Sequence, residues 1–507
     1  MKRRFSVVAV VGAALCVLSG CSLLVPAPQQ PAGPTPTTTD SYYSQQLRWD
    51  DCGTGLVCAT AKAPVDWDTP SGGAIDLALV KHPASGTAQG SLLLNPGGPG
   101  GSGWDYVYYS GDASAGPAVM ENFDVVGWDP RGVGQSTPVT CFTDPLDTDE
   151  TLYGTYDAPY DTQGWIDELT IEEQSFADAC EQNTGALLGT IDTASNARDM
   201  DMLRAVLGDE KLNYLGFSYG TYFGAVYAEL FPENVGRLVL DGAVDPLQSD
   251  FESLKFQMVG FDSAFRAYLQ SCLNGTDCTF TGTVDDAALQ ARAILDGVDA
   301  LALVNSDGRV LDSATLTTGI LSNLYAESYW TDMTQMFTAL ADGDPSLSFT
   351  SADSYNSRND DGSYQSNSYE VYVAATCVDG DFASDPATTL QRIAEIDMAA
   401  PILGKYATYD DFAVLDIACS NWPFPRADLP TEFDAAGAAP ILVIGTTNDP
   451  ATPYASSVSL ADQLSSGVLI THEGEGHTVY NQGVRCIDDV VDDYFVNGTV
   501  PAADPMC

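Results

Sequence analysis

The stretch "KLNYLGFSYGTYFGAVYAELFPENV", Lys211–Val235, joins two patterns that demand different backbones. "KLNYLGFS" is an apolar run of strand length. "TYFGAVYAELFPENV" sets Phe223, Val226, Tyr227 and Leu230 on one helical face and ends near Pro232. Between them lies "GFSYG", Gly216–Gly220, a G-x-S-x-G pattern. A strand turning sharply into a helix is crowded, so small residues flank Ser218. Such a turn lifts the serine hydroxyl to the helix N-terminus, where developing negative charge is favoured. The pattern alone is common; the strand before it and the helix after it give it weight.

Working outward, "GSLLLNPGGPG" and "FDVVGWDPRGVG" read as strands running into glycine-rich loops. "NARDMDMLRAVLG" is a helix with Ala197, Met200, Leu203 and Leu207 on one face and Gly208 as a stop. "GRLVLDGAVDP" returns to strand. From about Leu247 to Pro430 the rhythm is mostly helical and polar, and strands resume with "APILVIGTTNDP" and "SGVLITHEGEGH". Strand–helix alternation implies an α/β fold with a mostly parallel central sheet covered on both faces. The expected plan is a core in two parts, residues 46–246 and 431–507, interrupted by a large helical cap insertion at 247–430. Two tandem domains would leave the last two strands without a sheet.

The chain opens "MKRRFSVVAVVGAALCVLSGCSLL". A basic start and a short apolar run identify residues 1–20 as a signal peptide, not a membrane helix. "LSGC" resembles the bacterial lipobox, which makes Cys21 a lipidation site. Residues 21–45, rich in Pro and Thr, read as a flexible tether. The expected location is the outer face of a bacterial cell membrane, held by the lipid, or secretion. Ten cysteines remain beyond Cys16 and Cys21, an even number that argues for disulfides in an exported chain. Their order suggests Cys52–Cys58, Cys141–Cys180, Cys272–Cys278, Cys377–Cys419 and Cys486–Cys507. Without residues 1–20 the chain carries 17 Lys and Arg against 70 Asp and Glu, a net charge of −53. That field disfavours nucleic acid and anionic membranes and attracts cations.

A serine nucleophile needs a base, and the base an orienting carboxylate, in the chain order Ser, acid, His for this kind of turn. Of three histidines, His82 precedes Ser218; His472 and His477 follow it. "GVLITH" reads as the last buried strand ending at His472, with "EGEGH" as the loop that delivers His477. Spacing of five and two glycines separate "HEGEGH" from the helical zinc motif H-E-x-x-H. Asp449 and Asp241 both end apolar strands and compete for the acid. Oxyanion donors are expected from the backbone of Tyr219 and of Gly97 and Gly98 in "NPGGPGGSG". Neither "RNDDG" nor "NSDG" fits a calcium loop, so no metal and no cofactor is assigned.

Together, "NPGGPGGSG", "FDVVGWDPRGVGQS", "LNYLGFSYGTYFGAVYAELFPENVGRLVLDGAVDP", "NDPATP" and "GEGH" resemble the α/β-hydrolase fold peptidases of the proline iminopeptidase and tripeptidyl aminopeptidase family. "ATCVDG" and "CSNWP" look like segments preceding the tripeptidyl-type C-terminal part. The resemblance spans residues 48 to 507. It implies Ser218 as nucleophile, Asp449 as acid, because relatives carry it on the later strand, and His477 as base beneath a cap. It also implies a serine exopeptidase acting near the free N-terminus of peptides, a monomer, with cap carboxylates binding the substrate amine. Glu252 and Glu327 lie in the right region, and no role is assigned to them. Iminopeptidases usually carry "HGGPG" where this chain has "NPGGPG", which points to the secreted tripeptidyl branch. The rivals are an esterase or lipase with the same triad and a catalytically dead surface module.

Overall fold

The computed structural model describes residues 35–382, 385–410, 412–502 and 504–507. Runs of Leu, Val and Ile become strands buried along nearly their whole length: β4 (Ser91–Asn95), β5 (Asp124–Trp128), β6 (Leu212–Phe217), β7 (Val235–Asp241) and β10 (Ile441–Asn448). Continuous burial is what a strand shows when both faces of its sheet are covered. Before them come β1 (Asp50–Gly53), β2 (Leu56–Pro64) and β3 (Ala74–His82), and after them β11 (Gly467–Glu475). The sheet runs β1-β2-β3-β5-β4-β6-β7-β10-β11. It is parallel from β5 to β11 and antiparallel through β1, β2, β3 and the β3–β5 pair. The mostly parallel sheet is therefore as expected, with an antiparallel N-terminal meander added. A separate ribbon pairs β8 (Leu303–Val304) with β9 (Val310–Leu311) in the cap.

Alternation along each strand divides the core between the two faces. Leu93, Tyr214, Leu238 and Leu240 meet helices Thr193–Leu207 and Gly220–Leu230 through Met200, Leu203 and Val226. Leu92, Leu94, Leu215 and Val239 meet helices Gly103–Ser110 and Arg485–Asn497 through Trp104, Val107, Ile487 and Val491. A fully buried ion pair fastens one loop to this frame. Arg131 Nε lies 2.8 Å from Asp199 Oδ2, and Trp67 Nε1 donates to Asp199 Oδ1 at 2.9 Å.

The cap has its own apolar cluster, but its limits differ from residues 247–430. Tyr153, Trp165, Ile166 and Leu169 join it from upstream, packing with Phe261, Phe265 and Leu316. Conversely helix Ser368–Asp379, inside that range, buries Val371, Val373, Ala374 and Val378 in the core of the sheet. The folded body also begins earlier than residue 46. Within the expected tether, helix Thr39–Tyr43 buries Tyr42 completely, and the Tyr43 hydroxyl donates to Asp201 at 3.1 Å. The expected signal segment and Cys21 lie outside the described residues. All five expected disulfides are formed. No described helix is long and apolar enough to cross a membrane.

Candidate active site

Strand β6 ends at Phe217 and the helix starts at Gly220, so Ser218 must make the whole turn. It does so at φ 53°, left-handed backbone that a side chain enters only at a cost. The turn is held from below: the Ser218 N–H donates to the main-chain carbonyl of Asp241 at the end of β7, at 2.9 Å. Ser218 lines a cavity of about 650 Å³ between sheet and cap, together with Gly98, Tyr219, Glu252 and Asp379.

Asp449, just past β10, is 2 % exposed, and its carboxylate is fully engaged. It accepts from the N–H groups of Ala451 and Thr452, both at 2.9 Å, and from the Thr452 hydroxyl at 3.2 Å. His477 Nδ1 lies 2.9 and 3.0 Å from its two oxygens. The structure thus brings Asp449 and His477 together and leaves Nε2 of the buried ring without a hydrogen bond among the described residues. The cap fixes the ring from the other side. The His477 main-chain N–H donates to the Tyr325 carbonyl at 2.9 Å, and the Tyr325 ring stands edge-on to the imidazole at 5.5 Å. Burial works to lower the His477 pKa, but Asp449, its hydrogen bond and the charge of Asp241 outweigh that and raise it.

Asp241 does not touch the imidazole. Its carboxylate accepts the N–H groups of Val479 and Tyr480, at 2.9 and 2.8 Å, and so holds the chain just beyond His477. Burial pushes Asp241 up to about 6. His472 stays within β11, which runs on to Glu475 instead of ending at His472; the bend begins at Gly476, with φ 97°.

Gly97 approaches the turn so closely that a Cβ there would lie 2.6 Å from the Phe217 carbonyl oxygen and 2.9 Å from Ser218 Cβ. Its N–H, however, donates to Asn95 Oδ1 at 2.9 Å. Gly97 is therefore replaced as an expected donor: it supplies the close approach, while the N–H groups of Gly98 and Tyr219 meet no protein acceptor among the described residues. Glu252 lines the cavity, whereas Glu327 lies beside Glu475, whose carboxyl it helps to raise after burial. Sequence reasoning missed Thr452 and Asp379 as site residues. Both stand inside quoted motifs, "NDPATP" and "ATCVDG", but nothing in those strings says which way a side chain points.

A parallel sheet with a strained serine between strand and helix, facing a cap, defines an α/β hydrolase. A family described as TAP-like protein matches residues 406–507. Serine protease Hip1 of Mycobacterium tuberculosis is 34% identical over 520 residues, covering 98% of this chain and 96% of that protein. Carboxylesterase B of the same species is 37% identical, covering 97% and 96%. Tripeptidyl aminopeptidase of Streptomyces lividans is 30% identical, covering 91% and 86%. The chain belongs to this family of α/β hydrolases, which includes serine protease Hip1 and tripeptidyl aminopeptidase.

Proposed function

We propose that the protein is an exported serine exopeptidase that releases single residues or tripeptides from the free N-terminus of peptides. The observation that carries this reading is Ser218, held at φ 53° in the wall of a cavity that also presents Asp250, Glu252 and Asp381. The lining holds the carboxylates of Asp245, Asp250, Glu252, Asp379 and Asp381 against the guanidinium groups of Arg392 and Arg426, an acidic excess that suits a substrate ammonium group better than a lipid chain.

In this reading Ser218 Oγ attacks the scissile carbonyl while His477 Nε2 takes its proton. Asp449 holds the imidazole tautomer and stabilises the imidazolium. The oxyanion gathers the N–H groups of Tyr219 and Gly98. His477 then protonates the leaving amine, and water releases the acyl-enzyme by the reverse proton path. The five disulfides suit an oxidising compartment, and lipid attachment at Cys21 would keep the body at an outer membrane face.

A fluorophosphonate probe and a peptide library read by mass spectrometry test this together. The expected result is labelling at Ser218, lost in Ser218→Ala, with short N-terminal fragments released. Efficient ester cleavage with intact peptides would instead make the protein an esterase, and absent labelling would make it a binding module.

A further inference from the structure

Helix Ser368–Asp379 touches both sides of the expected oxyanion site. At its start, a Cβ on Gly100 would lie 2.6 Å from the Ser368 carbonyl oxygen, so helix and glycine loop are in contact. Asn367, just before it, donates to the carbonyls of Gly132 and Val139 at 2.8 Å and accepts the Gly134 N–H at 3.0 Å. At its end, Asp379 points its carboxylate at the residue after the serine. Asp379 Oδ2 accepts the Tyr219 hydroxyl at 2.8 Å and the Thr193 hydroxyl at 2.6 Å, and the two hydroxyls lie 2.9 Å apart. The Thr193 N–H adds a further bond at 3.1 Å. The far end of the helix is fastened by the Cys377–Cys419 disulfide and by Arg426 Nε donating to the Asp379 carbonyl at 2.9 Å.

Ser218 at positive φ leaves the 218–219 peptide in a sparsely populated conformation, which persists only when neighbours over-determine it. Asp241 holds the front of that turn; the phenol of Tyr219 is the handle on its back. We propose that Asp379 is a positioning residue for the reaction: through the Tyr219 phenol it fixes the Tyr219 backbone N–H as an oxyanion donor. The inference rests on the reading of Ser218 as nucleophile. It also makes helix Ser368–Asp379 part of the catalytic frame and not a movable piece of the cap.

The test measures kcat, KM and the affinity of a peptide boronic acid for wild type, Asp379→Asn, Tyr219→Phe and the double variant. Losing one oxyanion donor costs about 10²–10³ in kcat; a donor left in place but unrestrained should cost about 10 to 100-fold. Each single variant should show that loss, with KM within about twofold and boronate affinity falling by the factor seen in kcat. The double variant should be no worse than the worse single one, since both act through one bond. Tyr219→Phe removes a single oxygen, so it decides the matter even where Asp379→Asn fails to fold. A folded Tyr219→Phe with unchanged kcat overturns the inference. So do losses that multiply, or a loss confined to KM for peptides with a free amine, which would make Asp379 a substrate contact. Failure of the wild type to react with a fluorophosphonate overturns this inference and the serine reading together; labelling with unaltered variants overturns this inference alone.

Discussion

Ser218 and Asp241 are joined main chain to main chain, the serine N–H to the aspartate carbonyl at 2.9 Å. The same Asp241 holds Val479 and Tyr480 through its carboxylate, so one buried residue sets the serine turn relative to the histidine loop.

Asp241→Asn separates these duties from charge. Asp241 raises the His477 pKa, after the larger and opposed effect of burial and the contribution of Asp449. A base must be neutral, so activity falls as pH drops through that raised value. Removing the charge of Asp241 lowers the His477 pKa, and the acid limb of kcat/KM should move to lower pH. A profile of kcat/KM from pH 4 to 9 checks the direction; a shift upward, or none in a folded variant, contradicts it.

The two C-terminal histidines should behave oppositely. His477→Ala removes the partner of Asp449 and should lower kcat by about 10⁴-fold or more. His472→Ala alters a side chain on β11 whose Nε2 lies against Gly474, and should keep activity within about threefold. Steady-state kinetics on a peptide anilide distinguishes them.

Gly97→Ala tests the close approach of the glycine loop. The added methyl would overlap the Phe217 carbonyl, and φ 100° disfavours any side chain. The expected cost is about 1–3 kcal/mol of stability. A displaced loop should also lower kcat by about 10²-fold. Denaturant titration and kinetics on the same sample read both.

The Arg131–Asp199 pair should dominate its exposed counterparts. With both side chains fully buried, Arg131→Leu leaves an uncompensated carboxylate, and the loss should be about 3–5 kcal/mol. Arg48, 64% exposed beside Asp50, should cost about 0–1 kcal/mol when replaced by Ala. Chemical denaturation of the two variants gives the comparison.

Much of this was legible in the sequence because it is local. The apolar runs of β4, β6, β7 and β10, the turn at "GFSYG" and the helix stop at Gly208 each express their backbone preference within a few residues. Disulfide partners close in order along the chain were readable for the same reason. The meander of β1 to β3 was not read, since its buried and half-buried positions alternate poorly. The cap boundary was misplaced because helix Ser368–Asp379 has the composition of its neighbours, and only packing assigns it to the sheet.

The sequence by itself determined the parallel strands of the sheet, the sharp turn at Ser218 and the order of serine, acid and histidine, all of which follow from short-range pattern and steric demand. Residue pattern left Asp449 and Asp241 in competition and the resemblance favoured Asp449; tertiary structure sets Asp449 against His477, gives the Gly97 N–H to Asn95 and brings Asp379 to Tyr219. Those choices depend on the direction of single side chains across 28, 2 and 160 positions of chain, and direction is set by packing, not by periodicity.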